Sequence, residues 1–116
     1  MAAERRIEKV SNLLREVAAD ILARDLSFPD GVLVTVTRTA VSEDLYYATI
    51  FVSVLGGDRG GEETALAELV LATGRVQKAM NRKLSMRPVP RIRFALDQQE
   101  KRRERIEKLL GENRDG

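Results

Sequence analysis

Seven basic side chains lie between Gly74 and Phe94: Arg75, Lys78, Arg82, Lys83, Arg87, Arg91 and Arg93. No Asp or Glu interrupts them. Cations clustered without carboxylates attract polyanions, whose condensed counterions they release on binding. The chemistry this predicts is phosphate binding, above all to a nucleic-acid backbone. Arg75, Lys78 and Arg82 recur at i, i+3 and i+7, so they share one helix face. Val76, Met80 and Leu84 recur at i, i+4 and i+8 as an apolar stripe on another. Ala72-Thr73-Gly74 stands just ahead, and Gly74 predicts a sharp turn between two helices. Such a turn leaves the first N–H groups of the second helix free beside Arg75 and Lys78, which suits a phosphate. A β-carbon at Gly74 is expected to strain that turn. Arg5 and Arg6, near the chain start, could extend the basic surface.

Other chemistry is poorly provided for. The 116 residues include neither Cys nor His, so thiolate chemistry and the commonest general base and metal ligand are missing. A metal-assisted nuclease would have to use carboxylates such as Asp44, Asp97 and Glu100. Each has a turn or capping explanation instead. No catalytic residue, metal or cofactor is therefore expected. Gly56-Gly57-Asp58-Arg59-Gly60-Gly61 superficially resembles a phosphate loop, but no Lys-Ser/Thr pair follows it. Glu62 and Glu63 follow instead and would repel phosphate, so a flexible hinge is expected. Net charge is only +2, which leaves any affinity for polyanions to clustering. No apolar run is long enough to span a bilayer, and the charged start is unlike a signal peptide. A cytoplasmic protein is expected.

The elements that must position these residues follow from periodicity. Residues 4–24 predict a helix, with Ile7, Val10, Leu14, Val17 and Ile21 on one stripe. Ser27 to Gly31 stops it, and Phe28 packs under that turn. Val32 to Thr37 predicts a strand that could continue to Val41. After a reversal at Ser42-Glu43-Asp44, a second strand runs from Leu45 to Leu55, and the short link makes the pair antiparallel. Ala48, Ile50, Val52 and Val54 face one way; Tyr47, Thr49, Phe51 and Ser53 face the other. Tyr47 and Phe51 could stack RNA bases, but cover by a neighbouring element is the stronger expectation. Glu62 to Ala72 is a further helix. Pro88 and Pro90 exclude helix before Arg91-Ile92-Arg93-Phe94-Ala95-Leu96, a strand with Ile92, Phe94 and Leu96 inward. The helical crossover allows this strand to run parallel to an earlier one. Asp97 with Glu100 reads as a capping box for a last, sparsely apolar helix that ends at Gly111. One domain over residues 1–111 and a disordered tail over 112–116 are expected.

The order helix, strand, strand, helix, turn, helix, strand matches a type II KH domain. VSEDLYYATIFVSV, LATGRVQKAMNRKL and MRPVPRIRFALD, at these spacings, resemble the signature blocks of bacterial ribosome-binding factor A. The resemblance spans roughly Arg5 to Leu110. It implies an α+β fold: a single KH-like domain with a three-stranded mixed sheet, plus a C-terminal helix. In that family an Ala-x-Gly kink, here Ala72-Thr73-Gly74, replaces the usual Gly-x-x-Gly loop. The resemblance implies a non-catalytic, monomeric assembly factor that binds the immature small ribosomal subunit. It further implies help in late maturation of that subunit's ribosomal RNA, importance in the cold, and release linked to an assembly GTPase. The charge pattern by itself leaves a second class open, a module that docks an acidic protein partner.

Overall fold

Ile7, Val10, Leu14, Val17 and Ile21 form one face of helix α1 (Ala2–Asp25). The structure, a computed structural model, describes residues 2–57 and 60–114. In it Leu14, Ala18, Ile21 and Leu22 are buried, and Val10 and Val17 pack at the edge of the core. Arg5, Arg6, Lys9 and Arg15 stay in solvent, as an amphipathic helix requires. Strand β1 (Val32–Val41) and strand β2 (Tyr47–Gly56) form the expected antiparallel hairpin. β1 takes the longer of its two expected lengths. Its register slips between Val36 and Arg38, so Thr37 is the extra residue of a bulge. The slip puts Arg38 opposite Phe51 and Thr39 opposite Ile50. Thr39 thereby faces the helices, and its hydroxyl donates to the Ser11 carbonyl of α1 at 2.6 Å.

The hairpin loop is held by its own polar side chains. Ser42 Oγ donates to Asp44 Oδ1 at 2.6 Å, and the same oxygen accepts the Tyr46 N–H at 3.0 Å. Those bonds, the Ser42 one first, hold the Asp44 carboxyl below its ordinary pKa. β2 begins at Tyr47, two residues later than Leu45, because Leu45 turns the chain with φ 65. At the far end of β2 the backbone comes close to the preceding turn. A β-carbon on Gly56 would collide with the Gly31 carbonyl oxygen, so only glycine fits. Of the loop read as a hinge, Asp58 and Arg59 lie outside the described residues.

Helix α2 (Gly61–Lys83) corrects one expectation. The two helical patterns are a single helix of 23 residues, and Ala72-Thr73-Gly74 sits inside it. No residue of the triplet takes a positive φ. The helix is therefore not broken there, and no second N-terminus opens beside Arg75. The physical reason is continuity of the apolar face. Ala65, Leu69, Ala72, Val76, Ala79 and Met80 are all buried along one stripe that a sharp turn would split. What remains of the expected irregularity is the Thr73 hydroxyl, which donates to the Leu69 carbonyl at 2.9 Å. Such i−4 bonds tend to bend a helix without breaking it. Gly74 is exposed, and a β-carbon there would meet nothing within 4 Å. Strain at Gly74 is thus replaced by the opposite expectation. Gly74→Ala should stabilise the domain by about 0.5–1 kcal/mol, because glycine loses more backbone entropy in a helix. Thermal unfolding checks this; a lowered midpoint would mean that the backbone there is not helical.

Strand β3 (Arg91–Leu96) pairs in parallel with β2, so the sheet is mixed with order β1-β2-β3. Ala48, Ile50, Val52, Ile92 and Phe94 point to one face, where α1 and α2 cover them. Among the described residues no helix packs substantially on the other face. Helix α3 (Gln98–Arg114) starts where Asp97 Oδ1 accepts the Gln99 N–H at 3.0 Å, so Asp97 caps it. The Glu100 side chain of the expected capping box lies outside the described residues. α3 continues through Gly111, past its expected end, and the tail expected from 112 therefore begins inside it. Residues 115 and 116 of that tail lie outside the described residues. α3 makes few contacts with the rest of the chain, and Ile106, Leu109 and Leu110 stay more than half exposed.

Candidate nucleic-acid interface

The basic run divides into four groups in space. Arg75, Lys78 and Arg82 form an exposed row on the solvent side of α2, opposite its buried stripe. They span about 10 Å along the axis at the helical rise. Leu71, one turn before Arg75 on the same row, is 82% exposed, and its neighbour Val70 is 60% exposed. An apolar contact therefore heads the basic row. Lys83 is drawn aside. Its ammonium lies 3.2 Å from Asp20 on α1, and that bond is the main cause that holds the Asp20 carboxyl below its ordinary pKa. Lys83 thus helps join α1 to α2 and has less charge to offer a ligand.

Arg87 has a structural occupation. Its guanidinium donates to the carbonyls of Asn81 at 3.0 Å, Leu84 at 2.8 Å and Met86 at 2.7 Å. These carbonyls lie around the end of α2, where backbone acceptors lack helical partners and a cation is favoured. We expect Arg87→Ala to lower stability by about 1 kcal/mol, the usual net value of such bonds at an exposed site. Denaturant unfolding measures it; an unchanged midpoint would show that water replaces the guanidinium without loss.

Arg91 and Arg93 face away from both helices. They stand on the open side of the sheet, beside Tyr47 and Thr49 respectively. Arg93 Nε donates to Thr49 Oγ1 at 2.9 Å, which fixes its guanidinium. The strand carrying them is secured from behind by Gln77 of α2. That side chain donates to the Pro90 carbonyl at 3.1 Å and accepts the Ile92 N–H at 2.9 Å. So the helix row and the sheet pair look out from opposite sides of the molecule. Arg5 and Arg6 are exposed at the start of α1.

Two features of the open face were not expected from the sequence. Tyr47, for which cover by a neighbour was the stronger expectation, is 60% exposed. Phe51 is half-buried, but its cover is Arg38, whose guanidinium carbon lies 3.7 Å from the ring centroid. Arg38 Nε also approaches Asp97 Oδ2 at 3.4 Å, without alignment for a hydrogen bond. Thr37 donates to the same oxygen at 2.5 Å. The signal for Arg38 was present in the strand pattern, but only the bulge at Thr37 turns it onto the Phe51 side. Of the three carboxylates weighed for metal chemistry, the two that are described, Asp44 and Asp97, are engaged at separate places. Asp44 is held within its turn and Asp97 beneath Thr37 and Arg38, while the Glu100 side chain is outside the described residues.

This arrangement can hold phosphate groups on the helix row and planar or anionic groups on the sheet face. Among the described residues no group of three or more His, Cys, Asp or Glu side chains could hold a metal ion. Comparison with known proteins places the whole chain in context. A family model described as "Ribosome-binding factor A" matches residues 6–110. The chain is 38% identical to the ribosome-binding factor A of Protochlamydia amoebophila over 107 residues, which cover 91% of this chain and 81% of that protein. It is 38% identical to that of Anaeromyxobacter sp. strain K over 115 residues, 98% of this chain and 83% of the relative. The crystal structure of ribosome-binding factor A from Thermus thermophilus superposes with a TM-score of 0.66 at 26% identity, covering 78% of this chain and 93% of that one. A homology model of the Thermus thermophilus factor, fitted into the cryo-EM map of a 30S–factor complex, gives 0.62 at 27% identity, covering 73% and 88%.

Proposed function

The chain belongs to the ribosome-binding factor A family, and from that premise we propose that it binds the immature small ribosomal subunit and assists late maturation of its ribosomal RNA without catalysis. The observation that carries this is the family match over residues 6–110. The Thermus thermophilus relative, fitted into the map of a 30S complex, supports the small subunit as partner. The proposal places the protein in the cytoplasm, as a monomer, and makes an assembly GTPase the agent of its release. Arg75, Lys78, Arg82, Arg91, Arg93, Arg5 and Arg6 are the proposed RNA contacts, with smaller parts for Lys83 and Arg87. Their role is positional. Cations neutralise phosphates, and a folded RNA surface is recognised by shape. A conformation that the factor prefers becomes more populated when it binds, which suffices to assist maturation without a chemical step.

Co-sedimentation with purified small and large subunits tests the proposal. Binding to immature small subunits is expected, with little to large ones. Affinity should fall steeply as salt rises, since phosphate contacts release counterions. Equal binding to both subunits, or to neither, would sink it. The exposed Val70 and Leu71 beside the basic row favour a second reading, a docking module for an acidic protein partner. That reading expects binding that survives nuclease treatment of the subunit, where the first expects loss.

A further inference from the structure

On the open face of the sheet, β2 presents Tyr47, Thr49 and Phe51 in sequence. Arg91 pairs with Tyr47 on one side, Arg93 with Thr49, and Arg38 with Phe51 on the other. Every charged side chain on the strand positions of this face is an arginine. Among the described residues, Asp97 lies against Arg38, and the hairpin loop carries the exposed Glu43 and Asp44, of which Asp44 accepts from Ser42 and Tyr46. Small residues at Ala40 and Thr49 leave a cleft of about 470 Å³ beside Tyr47, with Arg93 also lining it. That volume lies within the usual range of small-molecule clefts, about 300–1,000 Å³. The cleft is walled by an aromatic ring and by a guanidinium that Thr49 holds in place. Rings and guanidinium planes are the surfaces on which unpaired bases stack, and a neighbouring cation such as Arg91 would meet the phosphate.

We propose that this face is a binding site for single-stranded RNA, with one base seated in the cleft against Tyr47 and the backbone held by Arg91 and Arg93. The inference rests on the RNA-binding reading above for the class of its ligand. It adds a surface distinct from the α2 row, a preference for unpaired over duplex RNA, and an aromatic contact. A-form duplex cannot use such a cleft, because its bases are stacked and paired. The partner is argued as RNA from charge complementarity and the ring; an acidic protein segment would need the cations but not the ring.

The test uses the full chain and two fluorescent probes, an eight-nucleotide oligouridylate and a hairpin duplex of similar charge. Fluorescence anisotropy should show tighter binding of the oligouridylate. Tyr47→Ala should weaken it about 10-fold, in the range of one lost stacking contact. Tyr47→Phe should remain within about two-fold of wild type, since the ring is kept. Tyr47 is exposed, so both variants should melt like wild type, which is checked in parallel. Equal affinity of the two probes, or an unchanged Tyr47→Ala, would overturn the inference. So would a Tyr47→Ala that loses co-sedimentation with subunits but keeps oligouridylate binding, because a protein would then occupy the face. A wild-type chain that fails to co-sediment with small subunits, yet binds oligouridylate through Tyr47, would remove the ribosomal reading and leave this one standing.

Discussion

Replacing Arg75, Lys78 and Arg82 together by Glu is expected to abolish co-sedimentation with immature small subunits while leaving the fold intact. All three are exposed on one row of α2, opposite the buried Leu69, Val76 and Met80. Surface substitutions of this kind usually change stability by within about 0.5 kcal/mol each. Binding responds differently, because three attractive phosphate contacts become three repulsive ones. A loss of roughly 100-fold or more is expected at moderate salt, with a shallower salt dependence of what remains. Charge reversal tests the sign of the interaction as well as the contact. Arg15→Glu, an exposed charge on α1, is the control and should do much less. Lys83→Glu should also do less to binding, but it removes the tie to Asp20 and so should show in the melt. The measurement pairs thermal unfolding with sedimentation for each variant. A triple variant that melts like wild type and still binds as tightly would take the α2 row out of the interface. The search would then move to Arg91 and Arg93 on the sheet, and to Arg5 and Arg6 on α1.

Asp97→Ala is expected to produce the largest loss of stability from a single polar side chain. The Asp97 side chain is 4% exposed and engages three groups on two elements. It caps α3 through the Gln99 N–H, accepts from Thr37 at the β1 bulge, and faces Arg38. A lost cap costs about 1 kcal/mol. A partly buried donor left unsatisfied costs about 1–3 kcal/mol more. Because the Arg38 side chain is 40% exposed, water offsets part of the second term. A total of about 2–3 kcal/mol follows, which lowers the melting midpoint of a domain this size by about 8–15 °C. Asp97→Asn keeps the volume and one acceptor, so about half the loss is expected. If Asp97→Ala melted within about 1 kcal/mol of wild type, the links to Thr37 and Arg38 would be shown to be weak in solution.

The sequence by itself determined most of the elements and the family. β3 appears at Arg91–Leu96, as its alternation and the prolines before it require, and the hairpin and α1 lie where their periods place them. These features are local. Side-chain period, turn residues and proline act over a few residues and can be read there. The three family blocks are equally a property of the order of residues. What the tertiary structure decided concerns faces and partners. Gly74 reads as a turn by composition, but a stripe from Ala65 to Met80 packed on the sheet holds it in helix. Seven bases close together in sequence reach different sides of the molecule, because a helix and a strand that sandwich one core must turn their polar faces apart. Arg87 and Lys83 are engaged by a helix end and by Asp20, partners that charge pattern cannot reveal. Tyr47 is open because α3 leaves the sheet uncovered, and the bulge at Thr37 sends Arg38 over Phe51. Apart from Arg87, whose carbonyl partners Asn81, Leu84 and Met86 lie close before it in sequence, these outcomes depend on contacts between residues distant along the chain, so no local pattern contains them.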